Sequence, residues 1–154
     1  MRVLAGCVLA GVASLSVSCA GGPVSPAALD PSGAESCRWC RMAILDAKLA
    51  AQVGGRLEEP IFFDDIGCLR DYLRAAGTPR PGMMAWVADH RTGEWVAASR
   101  ALYTRASIET PMGSHLIAHA DAASRSGDPA ASDGRGVEAG DLFGSPGPPG
   151  GEAP

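Results

Sequence analysis

Glycine and proline crowd both flanks of this chain and leave only its middle able to build a packed core. Of 154 residues, 20 are Gly and 12 are Pro, and they gather in 21–36 and again in Gly144-Ser145-Pro146-Gly147-Pro148-Pro149-Gly150-Gly151. Such segments hold too few large apolar side chains to offset the entropy of ordering them. The rear segment is also acidic. Asp128, Asp133, Glu138, Asp141 and Glu152 face Arg135 alone, so it carries the whole net charge of −4. Residues 126–154 are therefore expected to form a disordered acidic tail. Residues 37–125 remain as one small folded domain that a metal or disulfide staple would help. The negative balance argues against a nucleic-acid partner.

The N-terminus reads as an export signal. Arg2 precedes a run of apolar and small residues, 3–17, shorter than the roughly 20 residues a helix needs to cross a bilayer. The run closes on Leu15-Ser16-Val17-Ser18-Cys19-Ala20-Gly21-Gly22. Small residues before a cysteine and flexible ones after it resemble a bacterial lipobox, with Ser16 standing where Leu is usual. Residues 1–18 are thus expected to be a signal peptide, Cys19 its lipid acceptor, and 19–36 a flexible tether at the periplasmic face of a membrane.

Within the middle, 42–45, 49–53 and 60–63 read as short strands, and Gly54-Gly55 as a turn. Asp64 and Asp65 precede a helix over 66–76, whose Ile66, Leu69, Leu73 and Ala76 share one face. Gly77-Thr78-Pro79 ends it. Residues 84–87 and 94–97 flank Thr92-Gly93 as a hairpin. Leu102-Tyr103 and 115–118 are weaker strands, and a helix begun over 120–124 meets Gly127-Asp128-Pro129. The expected fold is α+β, a small domain with a strand–strand–helix–strand (ββαβ) unit occurring twice, the second copy incomplete.

The cysteines carry the chemistry. With Cys7 inside the signal and Cys19 lipidated, Cys37, Cys40 and Cys68 remain, an odd number for an exported chain. Cys37-Arg38-Trp39-Cys40-Arg41-Met42 gathers two thiols and a thioether, and Met112 sits in the turn Thr110-Pro111-Met112-Gly113-Ser114. His115 and His119 follow at a spacing that shares one face. Thiolate and thioether are soft donors that select Cu(I) over hard cations. A zinc site would instead need Cys37, Cys40, Cys68 and one distant His to converge. Each element also has a plainer reading: the Cys-x-x-Cys as a disulfide, Met42 and Met112 as packing, the histidines as strand-face residues, Cys68 as a small buried apolar residue, and Asp64-Asp65 as a helix cap.

Two functional rivals stand beside copper binding. One is a thiol–disulfide oxidoreductase using Cys37 and Cys40; the other is a structural lipoprotein stapled by a disulfide or by zinc. The Cys-x-x-Cys follows a flexible segment instead of opening a helix after a strand, which counts against the first. No Gly-x-Ser-x-Gly or phosphate loop is present, and the chain is expected not to be an enzyme.

An ordered set of motifs now bears on the choice: Cys40-x-Met42-x-Ile44, Ala51-Gln52-Val53, Phe63-Asp64-Asp65-Ile66-Gly67-Cys68-Leu69, Trp86-Val87-x-Asp89, and Thr110-Pro111-Met112-Gly113-Ser114 with Ile117-Ala118. Together they resemble the NosL family of nitrous-oxide-reductase accessory lipoproteins, over about 37–120. The resemblance implies two ββαβ units and a lipid-anchored periplasmic protein that binds Cu(I) for a client such as nitrous oxide reductase. It also implies Cys40 and Met112 as copper ligands, with Met42 in the same motif as Cys40. Cys37 and His115 complete the candidate set. Two departures stand out: the Gly- and Pro-interrupted tail replaces the helix and strand expected after Ala120, and Trp39 precedes the cysteine where a shorter residue is familiar.

Overall fold

The computed structural model describes residues 23–30, 32–77, 80–144 and 147–150. The signal segment and Cys19 lie outside the described residues. No helix among them is long and apolar enough to cross a membrane.

The described residues form two antiparallel sheets and three α-helices, the expected α+β class. Strands β1 (Ala51–Gly55) and β2 (Glu58–Phe63) form a hairpin, followed by helix α1 (Ile66–Ala76) and strand β3 (Met83–Ala88). Strand β4 (Trp95–Ala97) pairs with β3, so the first sheet runs β2-β1-β3-β4. The β3–β4 connection is the expected hairpin. Asp89 N–H donates to the Glu94 carbonyl at 2.8 Å, and Gly93 takes φ 81, which an L side chain rarely adopts.

A second ββαβ unit follows, and it is complete. Strands β5 (Leu102–Arg105) and β6 (Leu116–His119) pair, helix α2 (Ala122–Ser126) follows, and strand β7 (Arg135–Val137) returns to the other side of β5. The order β6-β5-β7 repeats β2-β1-β3: in both units the first strand is central. Both helices open alike. Asp65 Oδ1 accepts the Gly67 N–H at 2.6 Å, and Asp121 Oδ1 accepts the Ser124 N–H at 2.7 Å.

The structure departs from the expected loose ends. Beyond Ser126 the chain makes a 3-10 turn at Pro129–Ala131, then β7, then helix α3 (Ala139–Phe143). The few large apolar residues there anchor it: Leu142 is buried, and the Phe143 ring meets Tyr103 edge-on at 5.6 Å. Farther on, the Pro149 carbonyl accepts the Ala85 N–H at 2.7 Å. At the other end, buried Gln52 brackets Ala27, accepting its N–H and donating to its carbonyl, both at 2.9 Å. Part of the expected tether is thus docked on β1. Residues 42–45 make no strand, only a bridge between Ser36 and Ala43, because Ile44 alone is buried while Leu45 is exposed.

The main core gathers Val53, Phe63, Ile66, Leu69, Val87, Tyr103 and Leu116 from both units. Asp89, buried just after β3, ties the units together. Its carboxylate accepts the Arg91, Thr92 and Ala120 N–H groups at 2.9, 3.0 and 2.8 Å, and the Ser124 hydroxyl as close as 2.6 Å. Burial alone would raise its pKa, but these donors hold it down to about 2. A depressed carboxylate stabilises the fold above its unfolded value near 3.8 and loses that contribution as pH falls through about 2. Native protein should therefore lose stability between about pH 4 and pH 2 more steeply than Asp89→Asn, and Asp89→Ala should cost about 1–3 kcal/mol at neutral pH for the donors it strands. Denaturant titrations across that pH range check both.

Candidate metal centre

Two segments far apart in sequence meet at the N-terminal end of α1. The first is the loop from Cys37 to Met42. The Cys37 N–H donates to the Met42 carbonyl at 2.8 Å, and the Arg41 N–H donates back to the Cys37 carbonyl at 3.0 Å. The Arg38 N–H donates to the Phe62 carbonyl at 2.9 Å, fastening the loop to the end of β2. Arg41, immediately after the second thiol, has φ 69, a left-handed conformation that strains a residue with a Cβ. Such strain persists only where surrounding bonds over-determine it, as these do.

The second segment is Asp64-Asp65 with the first turn of α1. One carboxylate suffices to cap the helix, and Asp65 is that one. Asp64 instead faces the loop, where its Oδ2 accepts the Cys40 thiol at 3.1 Å. Asp64 is only 1% exposed, and its Oδ1 has no hydrogen-bond partner. Cys68, in the first turn of the helix, is buried beside it. One ligand atom from each of Cys37, Cys40, Asp64 and Cys68 lies within 4.8 Å of all the others. All three cysteines are free thiols; Cys37 and Cys68 are buried and Cys40 is partly exposed.

Burial pushes the Cys40 thiol up to about 11, and Asp64 and Cys37 add to the rise against an opposing backbone hydrogen bond from Met42. Cys68 moves the same way and further, again from burial first and the Asp64 carboxylate second. A helix N-terminus ordinarily favours a thiolate, but here desolvation and a neighbouring negative charge win. Without a cation, Cys40 and Cys68 are held protonated beside Asp64. A cation reverses that logic by favouring the deprotonated ligands.

Asp65 also brings in the methionine turn. Its Oδ2 accepts the Thr110 hydroxyl at 2.8 Å and the Met112 N–H at 3.0 Å. Gly67 permits the approach, since a Cβ there would stand 2.8 Å from Ser114 Cβ. Met112 and Trp39, 50% and 43% exposed, line a cleft of about 190 Å³ together with Cys68 and Arg70.

No protein-family model, known protein or solved structure matches this chain at a significant level. Of the residues singled out in the sequence, Cys37 and Cys40 converge, and Met112 stands at the cleft that reaches Cys68. Met42 closes the thiol loop and is half-exposed. His115 is not in the thiol cluster: it is held at φ 58, and its ring Nδ1 lies 2.7 Å from the Ile108 carbonyl. Asp64 and Cys68 join the cluster although their plainer readings were a cap and a packing residue. The signal for Asp64 was the doubled aspartate, since a helix needs only one.

The Cys-x-x-Cys lies in a loop ahead of β1 and not at a helix start, and its partly exposed thiol is raised. Both features run opposite to a reactive dithiol. Alkylation of metal-free protein should accordingly be slow at neutral pH, with Cys40 reacting first and its rate still climbing above pH 9. Peptide mapping of the alkylated thiols checks the order; rapid labelling at pH 7 would contradict it.

Proposed function

We propose that this chain is a metal-holding accessory protein that carries Cu(I) on the thiol cluster and passes it to an exported copper enzyme. One observation carries the reading: three free thiols converge on a buried carboxylate whose Oδ1 has no partner. An unpaired buried carboxylate oxygen is costly on its own, and a cation among the four groups would remove that cost. Sulfur-rich donors favour Cu(I) over hard cations. Cu(I) carries one positive charge, which a single anionic ligand balances, so few of the four groups need ionise in a buried site.

Exposure supports transfer. Cys40 is partly exposed, Met42 is half-exposed, and half-exposed Met112 lines the cleft that reaches Cys68. Ligands of a client could approach at that side, so that copper moves by stepwise exchange without release. Cys40 and Met112 are the ligands implied by the NosL resemblance, and Cys37 and Cys68 supply further sulfur. The same resemblance suggests nitrous oxide reductase, or another periplasmic copper enzyme, as client. Lipidation at Cys19 would hold the protein at the membrane surface, and no catalytic role is proposed.

A second reading is a zinc-stapled structural module. It is favoured by the ligand number: three cysteines and an aspartate offer the four ligands that a structural zinc site takes. Competition with a Cu(I) chelator separates the two. Native reduced protein should hold one equivalent of Cu(I) against a moderate chelator, Cys40→Ser should lose it, and Met112→Leu should weaken it by at least about tenfold. Failure of native protein to hold Cu(I), with zinc retained through purification, would favour the staple.

A further inference from the structure

A second cluster, remote in sequence from the thiols, closes the other ββαβ unit. His119 is the last residue of β6 and wholly buried; His90 follows β3; Asp128 lies between α2 and β7. The His90 Nδ1 lies 2.6 Å from Asp128 Oδ2, and His119 Nε2 lies 2.9 Å from the same oxygen. Their ring centroids stand 6.5 Å apart with planes inclined at 74°, so the rings do not stack.

Each member is fixed by its backbone. The His90 N–H donates to the Ala118 carbonyl at 2.8 Å, which sets it beside β6. Asp128 Oδ1 accepts the Ala130 N–H at 2.9 Å, leaving Oδ2 to the two imidazoles. The three therefore converge without needing a cation to gather them. The cluster sits at the place in the second unit that Asp64 holds in the first, the C-terminal end of the unit's second strand.

A purely structural role explains this poorly. Three polar side chains, two of them buried, are desolvated here. Well-packed apolar residues would fill such a space without that cost. Two imidazole nitrogens and one carboxylate oxygen, each within 4.8 Å of the others, are by contrast a recognised donor set for divalent transition metals.

We propose that His90, His119 and Asp128 form a second metal site, for a borderline divalent cation such as Zn(II), chemically distinct from the thiol cluster. The cation would replace the protons now shared with Asp128 Oδ2, and the ligands would move apart slightly to admit it at about 2.0–2.1 Å from each. His90 is the most exposed member, and solvent or an exchanging ligand reaches the cation from its side. The proposal does not depend on copper at the thiols, because nitrogen and oxygen donors select a different class of metal.

The third histidine, His115, is an internal control. Zn(II) is added to the reduced full-length protein with Cu(I) already present at one equivalent, and the histidine ring nitrogens are followed by ¹⁵N-correlated NMR. His90 Nδ1 and His119 Nε2 should both move to metal-bound shifts while His115 does not. Equilibrium dialysis should find one added equivalent of zinc, weakened at least about tenfold in His90→Gln, a substitution at the exposed edge of the cluster. The same titration on Cys40→Ser protein without copper keeps the test independent of the copper reading: the His90 and His119 responses should persist even if copper binding fails. Unchanged rings at saturating Zn(II), or a response at His115 alone, would overturn the proposal.

Discussion

Asp65 is the contact on which the site depends. One of its oxygens caps α1, and the other holds the turn that carries Met112. The cap sets the helix that delivers Cys68 and leaves the preceding Asp64 facing the thiol loop. Its pKa is lowered: burial would raise it, but the Ser114, Thr110, Gly67 and Met112 donors outweigh burial and keep it ionised. Two adjacent aspartates thereby divide their work, one satisfied by the donors around it and one left with an unpaired oxygen among thiols.

The helix cap recurs in the second unit, while the buried carboxylate between the units is satisfied. Asp121 caps α2 as Asp65 caps α1, while Asp89 gathers the neighbouring backbone donors and the Ser124 hydroxyl. Each unit keeps a polar cluster at the end of its second strand, sulfur-rich in the first and imidazole-rich in the second. Buried carboxylates that accept bonds from both units thus do the joining, and apolar packing through Tyr103, Leu116 and Val87 fills the space between.

How much of this was legible in the sequence follows from element length. The bounds of α1 were readable because an Asp cap, a one-sided apolar face and Gly77 agree on them. The β3–β4 hairpin was readable from Thr92-Gly93. The second unit was obscured because α2 has five residues and β7 three, too few to show a period, and they lie in a Gly- and Pro-rich stretch. What orders that stretch is long-range: Leu142 entering the core, Phe143 on Tyr103, and Arg74 donating to the Leu142 carbonyl at 3.0 Å. The thiols were plain, but nothing in the residue string separates Asp64 from Asp65. His90 and Asp128 carried no motif, and only the fold sets them beside His119.

X-ray absorption at the copper edge of protein loaded with one equivalent of Cu(I) bears most directly on the thiol cluster as a soft-metal site. A first shell dominated by sulfur, with two or three scatterers and the shell altered in Cys40→Ser, is the expected result. A shell of nitrogen or oxygen alone, unchanged by that substitution, would contradict it.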